Sequence, residues 1–196
     1  MAKRKRMKRW NAPGTAPGTL AAHAEAEGIP VEVTLVRYDE ERFEERPLPR
    51  EELPVLSVPR EGVLWLDVKG LSDPVLVRAV GERFGFHPLA LEDALNVPQR
   101  PKVDGYGDHA LVVLREVVLP DGPEQVTLFV ADRLVVTFRE RGGASFDAVR
   151  RRLREKAGAL RQEGDHTFTA NPKQAKHRRG IKGPGRRFLR RACRAP

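Results

Sequence analysis

The stretch Val63-Leu64-Trp65-Leu66-Asp67-Val68-Lys69-Gly70-Leu71-Ser72-Asp73-Pro74-Val75-Leu76 contains a change of hydrophobic period on which the fold turns. Over Val63 to Val68, Trp65 and Asp67 fall on one face and Leu64, Leu66 and Val68 on the other, the two-residue repeat of a strand. Ser72-Asp73-Pro74 then supplies a helix start: a capping side chain, followed by a proline whose missing N–H costs nothing in the first turn. Leu76, Val80 and Phe84 recur at helical spacing to form a buried stripe, and Gly85 is placed to end the helix.

Downstream, His87-Pro88 opens a second, shorter helix that stops by Asn96, because Pro98 disfavours helical geometry at Val97. Three strand-like runs follow, Ala110 to Leu119, Gln125 to Val130 and Leu134 to Phe138. Pro120-Asp121-Gly122-Pro123 and Ala131-Asp132-Arg133 separate them, which predicts an antiparallel meander. Phe146 to Glu163 reads as a helix with Phe146, Val149, Leu153, Ala157 and Leu160 on one face. Upstream, Val31, Val33 and Leu35 alternate with polar residues as a strand does, and acid-rich Asp39 to Glu52 reads as a short helix or an exposed connection. The order predicts an α/β domain: a mixed, largely antiparallel sheet flanked by helices.

Charge divides the chain into three. Of 36 Lys and Arg, six lie in the first ten residues and ten between His166 and Pro196, and neither segment holds an acid. Positions 11–165 keep 20 basic against 27 acidic residues, so the overall net charge of +9 conceals an acidic body. Residues 1–16 and 166–196 are expected to be disordered basic segments, the second a tail that a shifted reading frame would explain. Residues 17–165 are expected to form one domain, long enough to bury about 70% of its unfolded surface without metal or disulfide. Cys193 is the sole cysteine, which fits a reducing compartment. Apolar runs such as Ala110 to Leu114 and Val126 to Ala131 fall far short of the roughly 20 residues of a membrane-spanning helix.

Enzyme chemistry finds no constellation. Gly105-Tyr106-Gly107 lacks the third glycine of a dinucleotide loop, Gly180 to Gly185 lacks the Lys-Ser or Lys-Thr of a phosphate loop, and no nucleophile elbow is present. His23, His87, His109, His166 and His177 are scattered and read as surface or loop residues. One carboxylate pair stands out. In the helix after Pro88, Leu91 and Leu95 should face the core, which turns Asp93 about 200° round toward solvent. Glu92 sits about 100° away, too far round to chelate the same ion within one helix, yet able to join groups from a neighbouring chain. A hard ion such as Mg2+ keeps several waters and takes one or two carboxylates. Spacing alone favours two acids that merely suit the helix dipole or form a solvated face. Gln99-Arg100-Pro101-Lys102-Val103 reads as a charged connection making surface ion pairs.

The run from Phe86 to Val103, FHPLALEDALNVPQRPKV, resembles the signature of the cytoplasmic domain of CorA-type magnesium and cobalt transporters. Pro17 to Leu20, Trp65 to Val68, Glu124 to Leu128, Val136 to Glu140 and Phe146 to Arg150 resemble the same family in order and spacing, over residues 17–163. The resemblance implies an α/β/α funnel domain of a homopentamer on the cytoplasmic face of the cell inner membrane. It also implies that Mg2+, with Co2+ as a further ion, binds between protomers and holds the channel shut when the ion is plentiful. On this resemblance Asp93 matches the regulatory carboxylate and Glu92 is an auxiliary ligand. No enzyme activity is implied. The membrane helices that should follow residue 163 are absent from this sequence, so the chain reads as a truncated sensor domain that meets the membrane only through missing segments. Two alternatives are compatible with the sequence: a zinc transporter of the ZntB type, and sequence-independent binding of nucleic acid or an anionic surface through the basic tails, which an acidic body opposes.

Overall fold

The computed structural model describes residues 16–21, 26, 28–118, 122–144 and 146–161. The expected basic segments 1–16 and 166–196, save Ala16, lie outside them, as do His23, His166, His177 and Cys193. Among the described residues the strands are β1 (Glu32–Tyr38), β2 (Phe43–Pro47), β3 (Val63–Lys69), β4 (Lys102–Tyr106), β5 (His109–Val118), β6 (Gly122–Ala131) and β7 (Leu134–Arg139). The α-helices are α1 (Pro74–Phe84), α2 (Pro88–Leu95) and α3 (Asp147–Arg154), and a 3-10 turn spans Arg50–Val55. The strands form one sheet in the order β2-β1-β3-β7-β6-β5-β4. Only β3 and β7 pair in parallel; every other neighbour is antiparallel. The mixed, helix-flanked sheet and the meander of β5, β6 and β7 are as the periodicity predicts.

The change of period at Gly70 to Pro74 is realised as read. Asp73 accepts the Leu76 N–H at 2.9 Å, Pro74 opens α1, and Gly85 closes it in the left-handed region at φ 70°. Leu64, Leu66 and Val68 of β3 join Leu35, Leu111, Val113, Phe129, Val136 and Phe138 on one sheet face. There they pack under α1 and α2 through Leu76, Val77, Val80, Ala90, Leu91, Ala94 and Leu95. The two helices approach at Gly81, where a Cβ would collide with Leu91, so close contact here depends on the absence of a side chain. The opposite face buries Val36, Tyr38, Val63, Trp65 and Val135 against Leu153 of α3, with Phe146 and Leu160 packed alongside.

Three expectations change. Phe43–Pro47 is an edge strand on β1, not a helix or a connection; its charged side chains are what an edge strand carries when one side meets water. Lys102–Tyr106 is the opposite edge strand, not a loop, with half-buried Lys102, Asp104 and Tyr106 alternating with exposed Val103 and Gly105. The last helix spans only Asp147–Arg154. Lys156 turns the chain at φ 51°, and the Arg161 guanidinium folds back to donate to the carbonyls of Asp39 at 2.7 Å and Leu153 at 3.4 Å. A buried arginine thus reaches one carbonyl at the end of α3 and ties it to another in the β1–β2 connection.

Tyr38 carries a testable consequence of this packing. Only 6% exposed, its phenol is pushed up by burial from 10.0 to about 12. The folded chain therefore holds this proton more tightly than the unfolded chain does. Tyr38's contribution is complete below pH 10 and falls as pH climbs from 10 to 12, by roughly 2–3 kcal/mol. Urea midpoints measured across that window should drop less steeply for Tyr38→Phe than for the parent chain. Parallel slopes would show that Tyr38 ionises in the folded state at no extra cost.

Candidate functional site

The carboxylate pair sits on α2, whose position is fixed at both ends. Pro88 occupies its first turn, and the His87 ring accepts the Leu89 N–H through Nδ1 at 3.2 Å, so an imidazole does the work of an N-cap. At the other end the Asp93 carbonyl has no following turn to serve, since the Val97 N–H bonds to Leu95 instead. Two side-chain amides take it: Gln99 Nε2 at 3.3 Å and Gln125 Nε2 at 3.2 Å. Gln125 lies on β6 and is 2% exposed; its Oε1 also accepts the Gln99 N–H at 2.7 Å, and its own N–H donates to Glu140 at 3.0 Å. The end of α2 is therefore clamped to the sheet by a buried amide network, with its polar atoms satisfied.

Asp93 does not project freely into solvent as the helical wheel predicts. Its side chain is 21% exposed and lies along the sheet edge. Oδ1 accepts from Gln99 Nε2 at 2.7 Å and Oδ2 from Lys102 Nζ at 2.6 Å. The wheel fixed which way the residue leaves α2 but took no account of β4, because the segment carrying Lys102 read as a loop. Lys102 also reaches Asp104 Oδ2 at 3.0 Å, so its ammonium bridges two carboxylates. Burial works against the charge of Lys102, but its hydrogen bonds to Asp93 and Asp104 outweigh this and hold its pKa above the ordinary value. The Tyr106 phenol is raised as well, first by burial and then by the negative charge of Asp93. Glu92 turns elsewhere: its Oε2 accepts the Gly18 N–H at 2.7 Å, tying the residue 16–21 segment to α2. The structure thus keeps Glu92 and Asp93 apart, as their angular separation requires.

Among the described residues no three His, Cys, Asp or Glu side chains converge to hold a metal. Asp93 Oδ2 nevertheless already faces a cationic group, and one such hard oxygen suits Mg2+ completed by water. Of the histidines, His109 departs from expectation. It is 4% exposed and buried in an aromatic stack, with ring centroids 5.1 Å from Phe86 and 5.9 Å from Tyr106.

A second polar cluster lies on the other sheet face. Asp67, 1% exposed, accepts from Arg139 Nε at 3.0 Å, Arg139 Nη2 at 2.6 Å and Thr137 Oγ1 at 2.6 Å, and pairs with Arg150 of α3. Trp65 Nε1 donates to Thr137 at 3.1 Å, and the Arg150 guanidinium lies over the Trp65 ring at 5.3 Å. A cavity of about 310 Å³ opens beside it, but the cations on its wall are committed: Lys69 to Glu32, Arg139 and Arg150 to Asp67. This cluster ties α3 to the sheet and presents no open ligand position. Sequence reading expected ion pairs from the segment carrying Gln99 and Lys102, and Lys102 makes them, but gave no such role to Gln125, Arg139 or Arg150. Only the Lys102-Asp104-Tyr106 alternation carried a signal, that of a strand.

A mixed, seven-stranded sheet flanked by helices, with a short helix carrying two carboxylates at one sheet edge, defines an α/β domain. The chain belongs to the CorA-like Mg2+ transporter protein family, whose profile matches residues 60–170, more than half of the sequence. This is a family of ion transporters. Cobalt/magnesium transport protein CorA of Thermotoga maritima is 38% identical over 104 residues, which are 50% of this chain and 30% of that protein. YfjQ of Bacillus subtilis is 29% identical over 141 residues, 69% of this chain and 41% of its own length. The solved full-length CmaX protein shares the fold with a TM-score of 0.51 at 22% identity, over 65% of this chain and 39% of that one. The chain therefore spans less than half the length of the curated relatives it matches. Among the described residues no helix is long and apolar enough to cross a membrane.

Proposed function

We propose that residues 17–165 are the cytoplasmic, Mg2+-sensing domain of a CorA-like magnesium and cobalt transporter, with Asp93 as the carboxylate that receives the ion and Glu92 as an auxiliary ligand. The observation that carries this reading is the placement of Asp93: on its own short helix, clamped from behind by Gln99 and Gln125, with its outer oxygen already engaged by a cation. An ion shared between two such protomers would neutralise facing acidic surfaces that otherwise repel. Asp93 supplies one hard oxygen, Gln99 orients it, and the buried amide network keeps α2 from yielding when the carboxylate changes partner. In the whole transporter, a homopentamer in this reading, loss of the ion would let the protomers separate and the pore open. The match to the Thermotoga maritima protein, named for cobalt and magnesium transport, supports the choice of ions.

Calorimetric titration of Mg2+ into the full chain tests it. Asp93→Asn is expected to weaken binding at least about tenfold, because an amide replaces a charged ligand of a hard ion. Glu92→Gln keeps an acceptor for Gly18 and is expected to lose about two- to threefold. Equal affinity in the parent chain and Asp93→Asn would end the assignment.

A further inference from the structure

The group that fills the cation position beside Asp93 is part of the chain itself. We infer that Lys102 is a tethered competitor for the divalent ion at Asp93, and that Asp104 receives its ammonium when the ion binds. This rests on the reading of Asp93 given above and adds what sets its threshold.

Lys102 Nζ stands 2.6 Å from Asp93 Oδ2 and 3.0 Å from Asp104 Oδ2, so one cation is shared by two carboxylates. Lys102 and Asp104 share a face of β4 at the two-residue period, and strand pairing with β5 holds both against α2. The side chains are 33% exposed for Lys102, 21% for Asp93 and 44% for Asp104, so the more sheltered contact is the one to Asp93. A divalent ion approaching Asp93 meets an oxygen already neutralised and must displace the ammonium. Displacement strands no charge, because Asp104 is within hydrogen-bonding distance of the same nitrogen before the ion arrives. Gln99 and Gln125 hold the other side of Asp93, so the exchange is confined to the oxygen that faces Lys102.

The size of the effect follows from the fraction of time Asp93 is free. A lysine contact closed about nine-tenths of the time raises the apparent dissociation constant about tenfold above that of the uncontested carboxylate. Lys102 thus moves the response of Asp93 to higher ion concentration, where a sensor of an abundant ion needs it.

The test uses Mn2+ as the probe, with its free concentration read by electron paramagnetic resonance in the presence of the full chain. Lys102→Met should bind about tenfold more tightly than the parent chain. Lys102→Arg keeps the cation and should bind as weakly as the parent. Lys156→Met removes the same charge from a lysine that pairs with Glu41 at 3.4 Å in the β1–β2 connection, and should change nothing. Lys102→Met binding no tighter than the parent, or Lys156→Met tightening equally, overturns the competition. Should Lys102→Met not fold, the side-chain carbon resonance of Lys102 in the parent chain gives the answer, shifting with Mg2+ occupancy if the ammonium changes partner and staying fixed if it does not. Asp93→Asn separates the two levels: unchanged Mn2+ binding there ends the Asp93 assignment itself, whereas lost binding there with no gain in Lys102→Met ends only the role of Lys102.

Discussion

Asp67→Asn is expected to cost about 3–5 kcal/mol of folding stability, the penalty for leaving a buried charge without its partner. Asp67 is 1% exposed and takes three hydrogen bonds from Arg139 and Thr137 as well as the ion pair with Arg150. Asparagine preserves the shape but removes the charge, and its amide turns a donor toward one guanidinium. Arg139, 5% exposed on its side chain, then keeps the Gly143 carbonyl at 2.5 Å and a single neutral amide oxygen in place of a carboxylate. Because whole domains are stable by about 5–15 kcal/mol, the variant should sit near its unfolding midpoint in mild urea. The double variant Asp67→Asn with Arg139→Gln should recover a large part of the loss, since it removes the uncompensated cation along with its partner. A single variant within about 1 kcal/mol of the parent would show that the cluster is not electrostatically coupled. The consequence would reach α3, which this cluster holds to the sheet through Arg150.

Phe129→Ala should lose a similar amount, about 3–5 kcal/mol, by a different mechanism. Phe129 is fully buried on β6, with its ring centroid 4.3 Å from Phe86 in a stacked arrangement and 5.7 Å from Phe138 edge-on. Its removal forfeits transfer energy and leaves a cavity lined by rings held on separate segments, which cannot all move in to fill it. Phe86 leads directly into His87 and the first turn of α2, so the damage should spread to the helix that carries Asp93. Urea denaturation should show a lower midpoint at unchanged slope, and hydrogen exchange should show reduced protection of the α2 amides. A loss below about 1.5 kcal/mol would mean that the aromatic cluster collapses without strain.

The two variants mark the limits of sequence reading. Phe129 and its neighbours belong to an apolar, strand-like run with turn residues on either side, so the strand could be read directly, while burial on both of its faces left the side of Phe129 open. Asp67 was placed correctly on the face opposite Leu64, Leu66 and Val68, but nothing in the local pattern shows that an acid there will be buried. Its partners Arg139 and Arg150 lie 72 and 83 residues away in sequence. Trp65 to Val68, Val136 to Glu140 and Phe146 to Arg150, three of the segments that resembled the transporter family, meet at this cluster, so part of the resemblance reflects structural need. The same limit explains β2 and β4. An edge strand has one neighbour and a partly wetted face, so charged residues at Phe43–Pro47 and Lys102–Tyr106 blur the alternation that marks an inner strand.

Local sequence by itself determined the order of the inner strands and the helices, the cap and stop of α1, the start of α2, the meander and the direction in which Asp93 leaves its helix. Each depends on backbone preferences and periodicities set within a few residues. Tertiary structure alone decided what Asp93 touches on leaving: Gln99, Gln125 and the ammonium of Lys102, brought together when β4 pairs with β5 at the sheet edge. Electrostatic contact is a matter of distance in space, and helical spacing carries no information about a strand that packs alongside.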